Sequence, residues 1–230
     1  MKLQTLALLN AERAARRAVI VVTDIASGEQ RLVKAADIPN DPLRAELAKQ
    51  LRMGKSAMIE ANGNKLFLNV HAPTARLVII GAVHISQALA PMARALDYDV
   101  TVIDPRTAFA SAERFPDVPL IAEWPDVALP PLNVDAYTAF VAVTHDPKID
   151  DPGLMHAFAR DCFYIGALGS RKTHAKRGDR LKALGATDAD IAKIRAPIGL
   201  NIGAVSPSEI AVSIMAEITA TLRMPKEIAA

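Results

Sequence analysis

Polar residues and glycines collect at the ends of several apolar runs in this chain. RLVII is followed by Gly81-Ala82-Val83-His84-Ile85-Ser86, and DVTVI by Asp104-Pro105-Arg106. FVAVT ends in Thr144 and leads into His145-Asp146, and CFYIGA leads into Leu168-Gly169-Ser170-Arg171-Lys172. A late loop supplies Gly199, Asn201 and Gly203. Gly169-Ser170-Arg171-Lys172 has the composition of an anion site. Glycine permits close approach, a following helix offers free N–H groups and a positive dipole end, and two cations add charge. Arg177 lies further along the same helix; the alternative is a solvated basic helix start. The first turn is weaker as a phosphate grip. A dinucleotide fingerprint reads G-x-G-x-x-G, and here Val83 and Ser86 stand where its second and third glycines belong. Asp104, 23 positions after Gly81, has the spacing of a ribose-binding acid. It reads either as part of a nicotinamide dinucleotide site or as an Asp that ends a strand, with Arg106 beside it.

His145 and Asp146 read as ligand contacts or an acid/base pair. The alternative is an Asx turn opening a helix capped by Asp150 or Asp151. His84 faces the same edge or sits in a first helical turn. No metal-ligand spacing is present and no catalytic residue is assigned. Ser206-Pro207-Ser208-Glu209 is a capping box with Pro at the first helical position, so Glu209 reads as a cap. Cys162, at the start of an apolar strand, reads as a buried, inert thiol.

These residues need elements to hold them. Residues 2–16 read as a modest amphipathic helix, Ala18–Thr23 as a strand, and Gln30–Lys34 as its hairpin partner. Pro42–Met53 reads as a helix capped by Asp41 and stopped at Gly54. Ser56–Glu60 and Lys65–Val70 flank Asn62-Gly63-Asn64, a second hairpin. From residue 73 the grammar changes. Strands at Arg76–Ile80, Asp99–Ile103, Phe140–Thr144 and Cys162–Ala167 alternate with helices over 84–96, 151–160, Ser170–Leu184 and Pro207–Leu222, with Pro91 inside the first of these helices. The expected fold is α/β: a Rossmann-like doubly wound parallel sheet over 73–230, preceded by a small N-terminal α+β module over 1–72. Such sheets bind ligands beyond the carboxyl ends of their strands, where the polar residues above collect.

Composition narrows the functions. The 230 residues include 27 basic and 25 acidic side chains, a net charge of +2, with 51% hydrophobic residues. That suits one or two folded domains at roughly 100–200 residues each. It leaves no global electrostatic footprint for nucleic acid. One Trp, three Tyr and six Phe make poor stacking platforms for single strands. One cysteine excludes an intrachain disulfide. No apolar run approaches the roughly 18 residues of a membrane span, and the N-terminus lacks the features of a signal peptide, so a cytoplasmic protein is expected.

Taken together, LFLNVHAPTARLVIIGAVHISQALA, VTVIDPR, VAVTHDPKIDD, YIGALGSRKTHAKR and APIGLNIGAVSPSEIAVSIMAEI resemble the XdhC/CoxI family over roughly residues 65–222. Its members are maturation factors for molybdenum hydroxylases of the xanthine and carbon monoxide dehydrogenase type. The resemblance implies a chaperone that holds the molybdenum cofactor, as molybdopterin or its dinucleotide form, through sulfuration or insertion. Its partners would be a cysteine desulfurase and a molybdenum hydroxylase subunit, with a homodimer compatible. The family's first-turn pattern resembles G-A-G-H-V-G, of which this chain keeps Gly81, Ala82 and His84. Members commonly carry a Gly-Gly-Cys motif near the N-terminus, and residues 1–70 here contain no cysteine. An NAD(P)-dependent oxidoreductase and a partner scaffold without a ligand are the competing readings.

Overall fold

A computed structural model describes residues 2–224, which form two compact units with a boundary after Pro73. The first unit opens with α1 (Leu3–Ala14), followed by β1 (Val19–Asp24) and β2 (Gln30–Lys34). A short 3-10 turn at Ala35–Asn40 leads to α2 (Arg44–Met53), β3 (Ala57–Ala61) and β4 (Asn64–His71). The strands make an antiparallel sheet in the order β2-β1-β4-β3. Asn62 and Gly63 both have positive φ, as a tight hairpin turn between β3 and β4 demands. Ile20, Val22, Val33, Leu47 and Leu68 form its core. Asp41 does not cap α2 directly. Its carboxylate accepts from the Leu43 N–H and pairs with Arg31, and the helix starts at Arg44. Glu12 is buried and pairs with Arg17 at 2.5 Å and Lys34 at 3.0 Å. Hydrogen bonds from Arg17 and then Lys34 lower its carboxyl pKa to about 2.

The second unit runs from Thr74 to Leu222. Its strands are β5 (Arg76–Ile80), β6 (Asp99–Ile103), β7 (Leu120–Ile121), β8 (Thr138–Ala142), β9 (Tyr164–Ala167) and β10 (Ile194–Arg195). All pairings are parallel, in the order β10-β9-β8-β5-β6-β7. This is the doubly wound arrangement, with strand order reversing between β5 and β8. The helices are α3 (His84–Ala95), α4 (Pro125–Leu132), α5 (Pro147–Phe158), α6 (Arg171–Ala183), α7 (Asp188–Ala192) and α8 (Pro207–Arg223). Two cores flank the sheet. Leu77, Ile79, Leu89, Val102, Val141 and Ile214 lie on one face, and Val78, Ile80, Phe140, Ile149, Leu154 and Leu181 on the other. Alternate residues of β5 and β8 thus enter opposite cores, the mark of strands buried on both sides.

Several boundaries differ from expectation, most by one or two residues. α5 begins at Pro147 rather than 151, because Asp146, not Asp150 or Asp151, is its cap. β8 and β9 are shifted or trimmed, leaving Cys162 just ahead of β9. The elements β7, α4, α7 and β10 are additional.

Candidate functional site

Helices α3, α5 and α6 begin at the carboxyl edge of the sheet, and each start is finished differently. After β5, Gly81 has φ +116, and a Cβ there would come within 2.7 Å of the Thr144 side chain. The glycine therefore lets this turn pack on the end of β8. Val83 is the cap position of α3 and offers no side-chain hydrogen bond, so the first N–H groups of α3 rely on outside partners. Ser86 turns inward and donates to the Gly81 carbonyl at 2.5 Å. His84 is exposed.

At the end of β6, Asp104 is fully buried. Its carboxylate accepts from the Ala82 N–H at 2.8 Å and the Arg106 N–H at 3.0 Å. It also accepts from Arg106 Nε and Nη2 at 2.9 and 2.7 Å. Burial opposes its ionisation, but the bonds from Arg106 and Ala82 outweigh that and hold its carboxyl below the usual range. Both oxygens are engaged, so Asp104 ties the first turn to the second strand. Arg106 stays partly exposed, lies 4.5 Å from the Phe109 ring centre, and feels the charges of Asp146 and Asp150.

The end of β8 is filled with acid. Asp146 accepts from the Lys148 N–H and caps α5. Asp150, buried, accepts from the Thr144 hydroxyl at 2.6 Å and from the N–H groups of Thr144 and His145 at 3.3 and 3.1 Å. Burial raises its carboxyl pKa against those bonds. His145 is exposed and held at φ +63, a conformation uncommon outside glycine. Asp151 pairs with Arg180 at 2.7 Å. This helix start repels anions.

The start of α6 is basic instead. Gly169 has φ +135, and the Ser170 hydroxyl accepts from the Thr173 N–H at 3.2 Å. The next N–H, that of His174, goes to the Ser170 carbonyl, which leaves the N–H groups of Arg171 and Lys172 facing outward. Both side chains are exposed. Further along, Arg177 is 2% exposed, and only its Nη2 has a partner, the Leu168 carbonyl at 2.7 Å. In sequence Arg177 is only extra charge on the helix, because helical spacing gives no sign that a side chain turns under its own helix start.

The late loop divides in two. A Cβ on Gly199 (φ +87) would collide with Ser213 Oγ, so that glycine serves packing. Its N–H donates to Glu217 at 2.8 Å, the same carboxylate that accepts from Tyr164. Asn201 and Gly203 are exposed, with open space around Gly203. Glu209 accepts from the N–H groups of Val205 and Ser206, both at 2.8 Å, completing the expected capping box. Burial, then Asp135, pushes the Cys162 thiol up to about 12. Among the described residues, no group of three or more His, Cys, Asp or Glu side chains is placed to hold a metal ion. No helix there is long and apolar enough to cross a membrane. A small cavity lined by Arg76, Asp99 and Leu132 includes the first residues of β5 and β6, at the opposite end of the strands.

The sheet order and its polar carboxyl edge define a Rossmann-type domain whose first turn lacks the usual second glycine and whose basic helix start follows β9. The chain belongs to the XdhC family: residues 77–218 match the XdhC Rossmann domain. It is 33% identical over 155 residues to the molybdenum cofactor insertion chaperone PaoD of Escherichia coli, covering 67% of this chain and 42% of that protein. It is 32% identical over 157 residues to a Bacillus subtilis protein named as a probable xanthine dehydrogenase subunit, covering 68% and 46%. An uncharacterized Escherichia coli protein, YqeB, is 32% identical over 155 residues, covering 66% and 28%. The chain thus spans less than half the length of these curated relatives. A crystal structure of a xanthine dehydrogenase from Bacillus halodurans shares the fold, with TM-score 0.67 and 23% identity over 96% of this chain and 67% of that one.

Proposed function

We propose that this chain is a maturation factor that binds molybdenum cofactor and assists its sulfuration or insertion into a molybdenum hydroxylase. The start of α6 carries this reading. Two outward N–H groups, a positive dipole end, Arg171 and Lys172 meet at a turn that glycine keeps open. The cofactor's phosphate tail, or its diphosphate in the dinucleotide form, has matching charge and acceptors. When bound, the cofactor supplies the molybdenum chemistry, and this chain's residues bind and orient it. Gly169, Ser170, Arg171 and Lys172 hold the tail. Arg106, His84, His145, Asn201 and Gly203 line the edge toward the rest of the group. Gly81, Asp104, Asp146 and Gly199 set the shape of that edge from beneath.

The named role of PaoD in the same family supports this reading. A molybdenum hydroxylase is the proposed client, and a cysteine desulfurase the proposed sulfur source. A nicotinamide oxidoreductase is opposed by Val83 and by the engaged carboxylate of Asp104.

The test is pterin analysis of protein purified from a cofactor-producing host. Oxidation after denaturation should release a fluorescent pterin in stoichiometric amount. Replacing Arg171 and Lys172 together by Ala should reduce that content. No pterin, and no cofactor binding in titration, would overturn the proposal.

A further inference from the structure

We propose that Arg177 is the buried floor of the anion site at the start of α6, and that its guanidinium takes the oxygens of a phosphate group. This rests on the cofactor reading for the source of the phosphate, but its own evidence is separate.

A guanidinium is cationic at any ordinary pH, and burying it without a partner is costly. Arg177 is 2% exposed, yet its Nε and Nη1 have no partner. No carboxylate among the described residues lies within ion-pair distance of it. The two acids whose fields reach it are committed elsewhere. Asp150 accepts from Thr144 and His145, and Asp151 pairs with Arg180. Burial shifts Arg177 downward against those fields, the direction expected of a cation lacking its counter-ion.

Its aim is as informative as its isolation. Nη2 donates at 2.7 Å to the carbonyl of Leu168, the residue before Gly169. The same nitrogen lies 3.8 Å from where a Cβ on Gly169 would stand. The guanidinium therefore lies within contact distance of the Gly169 turn that opens the helix. One turn nearer that start, His174 has a buried Nδ1 that also lacks a partner. Burial, and then Arg177, lower this imidazole's pKa. Three of the five buried side-chain nitrogens without partners among the described residues thus belong to one helix, beside one turn. A planar fork of N–H donors below and a helix start beside it suit a tetrahedral oxyanion.

The shared chemistry is phosphate, as an ester tail or as free phosphate. The full chain should be titrated with inorganic phosphate and, separately, with phenyl phosphate. The readouts are thermal shift and the 15Nε–H resonance of Arg177. The resonance should move on titration in wild type, which needs no variant. Arg177→Met should bind at least one of the two anions roughly thirtyfold more weakly, with Arg177→Lys intermediate. Ligand-free melts and circular dichroism show whether each variant folds. Tighter phenyl phosphate binding identifies an ester tail as the source, tighter inorganic phosphate identifies the free ion, and either upholds Arg177 as floor. An unmoved Nε–H resonance at saturation, or equal affinity in folded Arg177→Met, overturns it, as does a high-resolution structure in phosphate showing only water at Nε and Nη1. Pterin retained in a variant with unchanged anion affinity would sink this inference alone. Phosphate bound through Arg177 in a protein that never holds pterin would sink the cofactor reading alone.

Discussion

Replacing Asp104 by Ala separates a structural tie from a ligand contact. The carboxylate makes four hydrogen bonds from complete burial. Its loss leaves the buried Ala82 N–H without an acceptor, worth about 1–3 kcal/mol. Arg106 is 32% exposed and regains water, so the lost ion pair adds only about 1 kcal/mol. The expected destabilisation is about 3 kcal/mol. For a unit of this size, each kcal/mol lowers Tm by about 2–4 °C, giving a fall of about 6–12 °C. Asp104→Asn retains a carbonyl that can accept from Ala82, so it should lose about 1–2 kcal/mol. The assay is thermal unfolding followed by circular dichroism, with urea melts to check that the m-value is unchanged. If both variants melt within 1 °C of wild type while losing ligand affinity, the carboxylate is a ligand contact and the reasoning fails.

Gly199→Ala should destabilise by about 2–4 kcal/mol, since a positive φ and a collision with Ser213 act together; a melt within 0.5 kcal/mol of wild type would refute it. Cys162, with its thiol pushed up to about 12, should react with iodoacetamide at pH 8 far more slowly than free cysteine, and at the ordinary rate once urea unfolds the chain; equal rates before and after would show that the thiol is not shielded. Glu12 has a lowered carboxyl pKa, so its contribution to the N-terminal unit is complete above the unfolded value near 4.5 and is lost as pH falls toward about 2. Glu12→Gln should therefore be less stable than wild type at pH 7, with the gap closing by pH 2. A gap that persists there would mean packing, not charge, is responsible.

The parallel strands were legible because RLVII, DVTVI and FVAVT are short β-branched runs, each followed by polar residues or glycine. The Asn62-Gly63 hairpin and the Ser206–Glu209 cap were legible because their side chains act on neighbours in sequence. The pair β7–α4 was not. Proline is a poor helix former, yet Pro130 and Pro131 fall in the last turn of α4, while Pro125 sits at its start, where proline is tolerated. Asp150 and Asp151 were expected as caps, but Asp146 is the cap, because Asp150 turns into the core to meet Thr144 and His145. The strand-end rule located the edge of the candidate site. It could not say that Asp104 faces inward or that Arg177 does, since both orientations are set by contacts between segments distant in sequence or by a side chain folding back along its own helix.

The tie between Asp104 and the first turn also bears on how such a domain can change over evolutionary time. Replacing Val83 by glycine would clear space for a pyrophosphate and nothing more. The acid that would grip a ribose already has both oxygens engaged by Ala82 and Arg106. Freeing it requires a second substitution, and that substitution costs stability before it confers any affinity. Two steps with a valley between them separate this edge from a nicotinamide enzyme.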